Sequence, residues 1–142
     1  MPLQKSTVLA IDPGKDKCGL AVLHCEGFDE QRVLDAVIER RIAARDDVIE
    51  AIRHLLRQFP DSQIVIGHAT TSGDLREELQ REWPQLAIET VDETGSTLEA
   101  RDLYWQANPP RGWRRLVPLS SQVPPKPVDD FAAVVLAARY LK

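Results

Sequence analysis

Residues 8 to 22, which read VLAIDPGKDKCGLAV, constrain the fold of this chain most strongly. An apolar run ends on Asp12, Pro13-Gly14 follow at once, and a second apolar run begins at Gly19. This pattern predicts a strand, a tight turn and a second strand that returns alongside the first. A carboxylate at the tip of a buried strand is costly unless a cation, a donor or a substrate meets it there. Asp12 is therefore the first candidate for a functional residue.

The composition is ordinary for a soluble globular protein, with 43% apolar and 28% charged residues in a chain of 142. This length predicts a single domain, residues 1–142, with a substantial core. No apolar run approaches the roughly 20 residues that span a membrane, and the opening MPLQKSTV lacks the apolar segment of a signal peptide. Cys18 and Cys25 match neither a disulfide framework nor a metal-site spacing. We therefore expect a cytoplasmic protein with reduced thiols and no membrane partner.

The charge is acidic overall but unevenly distributed. A net charge of −4 argues against a protein that holds nucleic acid by bulk electrostatics alone. A nuclease remains compatible with it, because an acidic cluster lowers the net charge while a bound metal restores local positive potential. The stretch 109–126 contains no acid, and its basic residues are Arg111, Arg114, Arg115 and Lys126.

Hydrophobic periodicity predicts the element order β-β-β-α-β-α-β-α-α. The predicted strands cover residues 8–11, 19–24, 31–38, 63–67 and 86–91, with a hairpin turn at Glu26-Gly27 between the second and the third. The predicted helices cover residues 45–58, 75–83, 96–106 and 129–141. Residues 109–127 hold six of the ten prolines and are predicted to form an irregular loop. The fold class is therefore α/β: a mixed five-stranded sheet, a three-strand meander followed by βα units, flanked by helices.

Two further acidic pairs stand where apolar elements end or begin. Asp92-Glu93 follows the fifth strand, and Asp129-Asp130 opens the last helix. Because the carboxyl ends of parallel strands share one edge of a sheet, we expect these acids to lie near Asp12. Three such carboxylates could hold two Mg²⁺ or Mn²⁺ ions about 4 Å apart, an arrangement that supports phosphodiester hydrolysis. Asp92 and Asp130 remain alternates to their neighbours, and each acid taken singly could instead serve a turn or cap a helix.

Three motifs resemble the YqgF/RuvX family of RNase H-like nucleases, whose members are sometimes called Holliday junction resolvases. The motifs are IDPGKDKCGLAV, VDETGSTLEAR and PVDDFAAVVLAARYL. The segments IGHATTSG and NPPRGWRRLVP are most similar to a cyanobacterial-type branch of that family, and the Asp-Pro-Gly opening is also similar to the RuvC resolvases. The resemblance implies an RNase H-like fold over nearly the whole chain. It also implies catalytic, metal-binding roles for Asp12, Glu93 and Asp129.

Two segments depart from the family pattern. Many members have Gly-Thr-Lys-Arg after the first acid, where this chain has Gly-Lys-Asp-Lys at residues 14–17. Many also have Gly-Leu-Pro after the fourth strand, where this chain has Gly-His-Ala-Thr-Thr at residues 67–71. The RuvC resolvases place an acid at that strand end. His68 cannot replace an acid as a hard-metal ligand, although it could orient water or substrate, or be purely structural.

Several residues around the acids are candidates for nucleic-acid binding. Lysines beside Asp12 could neutralise phosphates or simply lie in a solvated turn, and threonines after the fourth strand could hold a phosphate or cap the next helix. Tyr104, Trp105 and Trp113 accompany the arginine cluster, as suits base stacking on unpaired nucleic acid, although Trp105 could instead anchor the loop. The predicted nucleic-acid ligands are Lys15, Lys17, Thr70, Thr71, Arg101, Arg111, Arg114, Arg115 and Lys126.

These observations favour a metal-dependent endonuclease. The family resemblance implies two substrates, the 5′ end of precursor 16S ribosomal RNA and branched DNA such as a Holliday junction, and we favour the RNA. Symmetric cleavage of a junction would need a homodimer, because two equivalent strands must be cut. One alternative is an ATP-binding fold related to sugar kinases and actins, although the second half of such proteins is missing here. Another is a nucleic-acid-binding module without catalysis.

Overall fold

The computed structural model describes residues 5–68, 72–119 and 122–142 and forms one five-stranded mixed sheet. The strands are β1 (Thr7–Asp12), β2 (Lys17–His24), β3 (Val37–Ala44), β4 (Ser62–Gly67) and β5 (Ile88–Val91), arranged in the order β3-β2-β1-β4-β5. The helices are α1 (Val48–Gln58), α2 (Ser72–Glu82), α3 (Ser96–Ala107) and α4 (Asp129–Leu141). Strand β2 runs antiparallel to both of its neighbours, β1 and β3, while β4 pairs in parallel with β1 and β5 in parallel with β4. The predicted mixed sheet of a meander followed by βα units is confirmed.

Each face of the sheet carries its own hydrophobic core. Alternation along β1 directs Leu9 and Ile11 towards α1 and α2, whereas Val8 and Ala10 face α4. Helix α4 is buried along nearly its whole length, from Phe131 to Ala138, because α3 covers the side that the sheet leaves open. Among the described helices, none is long and apolar enough to cross a membrane.

The first turn of α4 rests directly on the backbone of β2. A Cβ atom at Gly19 would collide with the carbonyl oxygen of Asp129 and would lie 2.9 Å from the backbone nitrogen of Asp130. Gly19 is also the register partner of Asp12 in the antiparallel β1–β2 pair. The absence of a side chain at this one position therefore allows the start of α4 to sit beside the tip of β1.

The third strand lies later in the chain than predicted. Residues 31–38 were expected to be extended, but Glu30–Ala36 form a 3-10 segment and β3 covers Val37–Ala44. The apolar residues of the 3-10 segment pack into the core beside α4, which gave that segment a strand-like hydrophobic signal. Strand β3 is an edge strand and carries several charged residues, as edge strands commonly do. The spacing of its apolar residues therefore gives only a weak strand signal.

The predicted hairpin between the second and third strands is also wrong. Glu26-Gly27 does form a turn, with Gly27 at a φ of 71°, but this turn leads into the 3-10 segment rather than into β3. Elsewhere the differences are small. The fifth strand begins at Ile88 instead of residue 86, the first turn of the predicted 45–58 helix is 3-10, and α4 has the predicted limits.

Replacing Gly19 by Ala should destabilise the protein by about 1–3 kcal/mol, because the added methyl group must displace the α4 backbone. Gly73 provides a matched control, since no atom of the described residues lies within 4 Å of a Cβ placed there. Gly73→Ala, in helix α2, should be neutral or stabilising by up to about 1 kcal/mol. Urea unfolding of both variants measures the difference. Equally small changes in the free energy of unfolding of the two variants would show that the packing of α4 does not depend on its close approach to β2.

Candidate active site

The three predicted acids lie on one face of the sheet, the face covered by α4. Val8 and Ala10 of β1 face this helix, so alternation places Asp12 on the same side. Val91 of β5 also packs beneath α4, and Glu93 follows it two residues later. Asp129 is the first residue of α4 itself. The structure therefore brings Asp12, Glu93 and Asp129 to one end of the sheet, as the sequence predicted.

Glu93 extends its carboxylate over the end of β4. A Cβ atom at Gly67 would collide with Oε2 of Glu93, so this glycine provides the space that the carboxylate occupies. Oε2 is buried, and the described part of the chain gives it no hydrogen-bond partner. Such an oxygen is costly unless a cation or donor reaches it. Burial raises the pKa of Glu93, the charge of Asp92 adds to that rise, and His68 opposes it.

Asp12 is the most strongly perturbed acid of the site. Burial, followed by the charges of Glu93 and then Asp129, raises the pKa of Asp12 from 3.8 to about 7. In the absence of a counter-charge this carboxyl group therefore keeps its proton to a higher pH than an ordinary aspartic acid. The repulsion identifies these three carboxylates as one electrostatic unit, because two of them act on the third.

A lysine near the first acid partly neutralises the site. Nζ of Lys17 lies 3.5 Å from Oδ2 of Asp129, and both side chains are partly exposed. Lys17 was predicted to bind phosphate. In this structure Lys17 instead contacts Asp129, and a bound phosphate would compete with Asp129 for the ammonium group.

The adjacent acids have other partners. Oδ2 of Asp130 accepts a hydrogen bond from Nη1 of Arg40 at 2.6 Å, which directs Asp130 towards β3. The side chain of Asp92 accepts hydrogen bonds from the backbone nitrogen and the hydroxyl of Thr94, and these bonds lower the pKa of Asp92. The geometry therefore favours Glu93 and Asp129 over their alternates Asp92 and Asp130.

Arg139, which the sequence analysis overlooked, fixes the position of Glu93. Its Nη1 donates to the carbonyl oxygen of Asp92 at 2.7 Å, and its Nη2 donates to that of Thr94 at 2.8 Å. The guanidinium thus holds the backbone on both sides of Glu93 against α4. The only signal in the sequence was a basic residue in the last turn of a helix, which also suits the helix dipole.

The donor set fits a hard divalent cation, although the side chains do not yet surround one. Within residues 5–68, 72–119 and 122–142, no three Asp, Glu, His or Cys side chains are close enough together to hold a metal ion. The candidate ligands are all carboxylate oxygens, as Mg²⁺ and Mn²⁺ prefer, and the buried oxygen of Glu93 has, among the described residues, no partner of the kind that such an ion would supply.

The remaining predicted ligands are spread over two regions. Lys15 is exposed in the β1–β2 turn close to Asp12, and Arg101 is half-buried on α3. Exposed basic residues occupy the connection between α3 and α4, namely Arg111, Arg114, Arg115 and Lys126. Thr70 and Thr71 lie outside the described residues. His68 is exposed at the end of β4, where its backbone nitrogen donates to the carbonyl oxygen of Val91 at 2.9 Å.

The aromatic residues divide between the core and the surface. Tyr104 and Trp105 are buried against α4, which removes both as stacking candidates, whereas the anchoring of the 109–127 loop by Trp105 stays a prediction. Trp113 is 72% exposed, and the guanidinium of Arg114 lies 5.8 Å from its ring centroid. Gln122 donates to the carbonyl oxygens of Arg114 and Val117 and thereby supports this short 3-10 segment, Gly112–Leu116.

Comparison with known proteins supports the fold. No family model matches the chain, and no curated protein does. Among solved structures, RuvC from Thermus thermophilus is similar over 94% of this chain and 91% of its own, with a TM-score of 0.56 and 14% identity. A Cytophaga hutchinsonii protein assigned as a sugar kinase matches 67% of this chain and 38% of its own, at 14% identity and a TM-score of 0.43, and we draw nothing from it. The likeness to RuvC confirms the predicted RNase H-like fold.

Replacing Asp12 by Asn should stabilise the metal-free protein at neutral and alkaline pH. The folded-state pKa of about 7 exceeds the ordinary 3.8, so ionisation of Asp12 reduces the free energy of unfolding as pH rises through this window. The free energy of unfolding of the variant should equal that of the wild type below about pH 4 and exceed it by about 1–3 kcal/mol at about pH 8, after allowance for solvent screening. Urea unfolding in chelator across this range measures it.

Asp92→Asn is the matched control for this prediction. The hydrogen bonds from Thr94 lower the pKa of this carboxyl group, so the variant should gain no stability as pH rises. A pH dependence of Asp12→Asn identical to that of the wild type would contradict the repulsion described here.

Proposed function

We propose that this RNase H-like chain is a nuclease that hydrolyses phosphodiester bonds of nucleic acid and uses divalent metal ions. The observation that carries the proposal is the electrostatic unit of Asp12, Glu93 and Asp129. Three carboxylates from separate elements face the same side of the sheet, and two of them raise the pKa of the third. A purely structural arrangement would have little reason to bury like charges against one another.

Mg²⁺ or Mn²⁺, as two ions, is the proposed cofactor, with Asp12, Glu93 and Asp129 as its ligands. Such ions, when bound, activate water and neutralise charge on the leaving oxygen of a phosphodiester. The support from this structure is the buried oxygen of Glu93, which has no partner among the described residues, and the raised pKa of Asp12, both of which a cation would relieve.

The other groups of the site are proposed to bind the nucleic acid or to hold the carboxylates in position. Arg139 holds the backbone beside Glu93, and the seating of α4 on Gly19 holds Asp129 next to Asp12. Lys15 and Lys17 lie beside the acids and are proposed to neutralise phosphates next to the scissile one. The exposed arginines and Trp113 are proposed to contact the nucleic acid farther from the reaction centre, through phosphate contact and base stacking.

For the natural substrate we propose precursor 16S ribosomal RNA, cut at its 5′ end. The support is the resemblance of the three sequence motifs to the YqgF/RuvX family. Branched DNA is the second candidate, and the structural likeness to RuvC favours it. A binding module without catalysis is the outcome that remains if neither substrate is cut.

Cleavage should depend on both metal and Asp12. We expect the wild type with Mg²⁺ or Mn²⁺ to cut one of three matched substrates: precursor ribosomal RNA, single-stranded RNA or a four-way DNA junction. Asp12→Asn should reduce the cleavage rate about a thousandfold or more, because a ligand of the site is lost, while binding measured by fluorescence anisotropy should persist. Asp92→Asn should cut normally. Binding of these substrates by the wild type, with no metal-dependent cleavage of any of them, would contradict the proposal.

A further inference from the structure

A pocket of about 290 Å³ opens next to the candidate active site. It lies between β3, the end of α3 and the first turn of α4, and its lining includes Ile42, Tyr104, Lys126 and Phe131. The volume is close to the lower end of the range that small-molecule sites occupy, about 300–1,000 Å³. The pocket has room for one base and its sugar, but it is too small for a duplex.

The position of the pocket relative to Asp12 follows from the sheet register. Asp12 pairs with Gly19, and Gly19 pairs with Ile42, so the three residues form one row across neighbouring strands with side chains on the α4 face. At about 4.8 Å between strands, the backbone of Ile42 lies roughly 10 Å from that of Asp12. This distance corresponds to about three nucleotide steps at roughly 3.4 Å each.

The walls of the pocket suit a flat, partly apolar group with an anionic end. Phe131 and Tyr104, both largely buried, form the floor of the pocket, with their ring centroids 5.8 Å apart. The guanidinium of Arg40 lies 4.0 Å from the Phe131 centroid, and its side chain remains 35% exposed. Bases stack on guanidinium planes of this kind. Because Asp130 neutralises Arg40, the exposed ammonium of Lys126 leaves the lining with a positive charge for a phosphate.

We propose that this pocket receives the base of an unpaired nucleotide located within about three steps of the scissile phosphate. The inference rests on the nuclease function proposed above, and it narrows the substrate class. A base stacked inside a duplex cannot enter a pocket of this size, so the preferred strand is locally unpaired or splayed where it is cut.

The test uses the full chain carrying Asp12→Asn, which should bind nucleic acid without cutting it. The probe is a labelled single-stranded RNA of about twelve nucleotides, within the usual range of single-strand sites. In a set of such probes, one base at a time is replaced by an abasic residue. Removal of the base that occupies the pocket should weaken binding about tenfold, as expected for one stacked base, while removal at most other positions should have little effect.

A second substitution assigns that base to the pocket. Ile42 is 36% exposed, and Ile42→Trp should fill the pocket, weaken binding of the intact RNA about tenfold and abolish the sensitivity to the abasic position. Gln58→Trp is the matched control, since Gln58 is exposed on α1, on the opposite face of the sheet. That variant should bind like its parent.

Two outcomes would overturn the inference: no abasic position that matters, or an Ile42→Trp protein that keeps the full sensitivity. The abasic scan requires no pocket variant, so a scan in which no position matters overturns the inference even if Ile42→Trp fails to fold. The nuclease proposal is judged separately, by metal-dependent cleavage in the wild type. Either proposal can therefore fail while the other stands.

Discussion

The close contact between the start of α4 and the backbone of β2 determines the geometry of the candidate site. Gly19 permits this contact, and it places Asp129 beside Asp12, which is the register partner of Gly19. The same contact directs Asp130 towards Arg40 and so forms one wall of the adjacent pocket. One small residue on one strand thus couples the candidate catalytic carboxylates to the proposed nucleotide pocket, because both depend on the same helix turn.

The site stores electrostatic free energy that the rest of the fold must offset. Burial and the charges of Glu93 and Asp129 raise the pKa of Asp12, and a buried oxygen of Glu93 lacks a partner within the described residues. The hydrophobic cores on both faces of the sheet hold these groups in place, with Arg139 fixing the backbone around Glu93. A cation that binds here removes this repulsion, and the free energy so released adds to its affinity. The lower stability of the metal-free protein and the affinity of the site for the ion therefore have the same physical cause.

The sequence predicted the element order, the limits of α4 and the gathering of the three acids, because each depends on local patterns. Buried strands appear in the sequence as runs of apolar residues, and an acid that directly follows such a run marks the end of the strand. The third strand was misplaced, because an edge strand with charged residues has a weak apolar period. Arg40, Gly67 and Arg139 were overlooked for a different reason. Their roles arise from contacts between residues far apart in the chain, which periodicity cannot reveal.

The central claim is that Asp12, Glu93 and Asp129 together bind divalent metal ions. Anomalous diffraction from crystals soaked in Mn²⁺ tests it most directly, because the ion is located without reference to activity. The account predicts anomalous peaks in contact with carboxylate oxygens of all three residues, and their loss in Asp12→Asn crystals. Mn²⁺ found only at other acids, such as Glu26, Asp29 and Asp35 around the separate pocket near the 3-10 segment Glu30–Ala36, would contradict it.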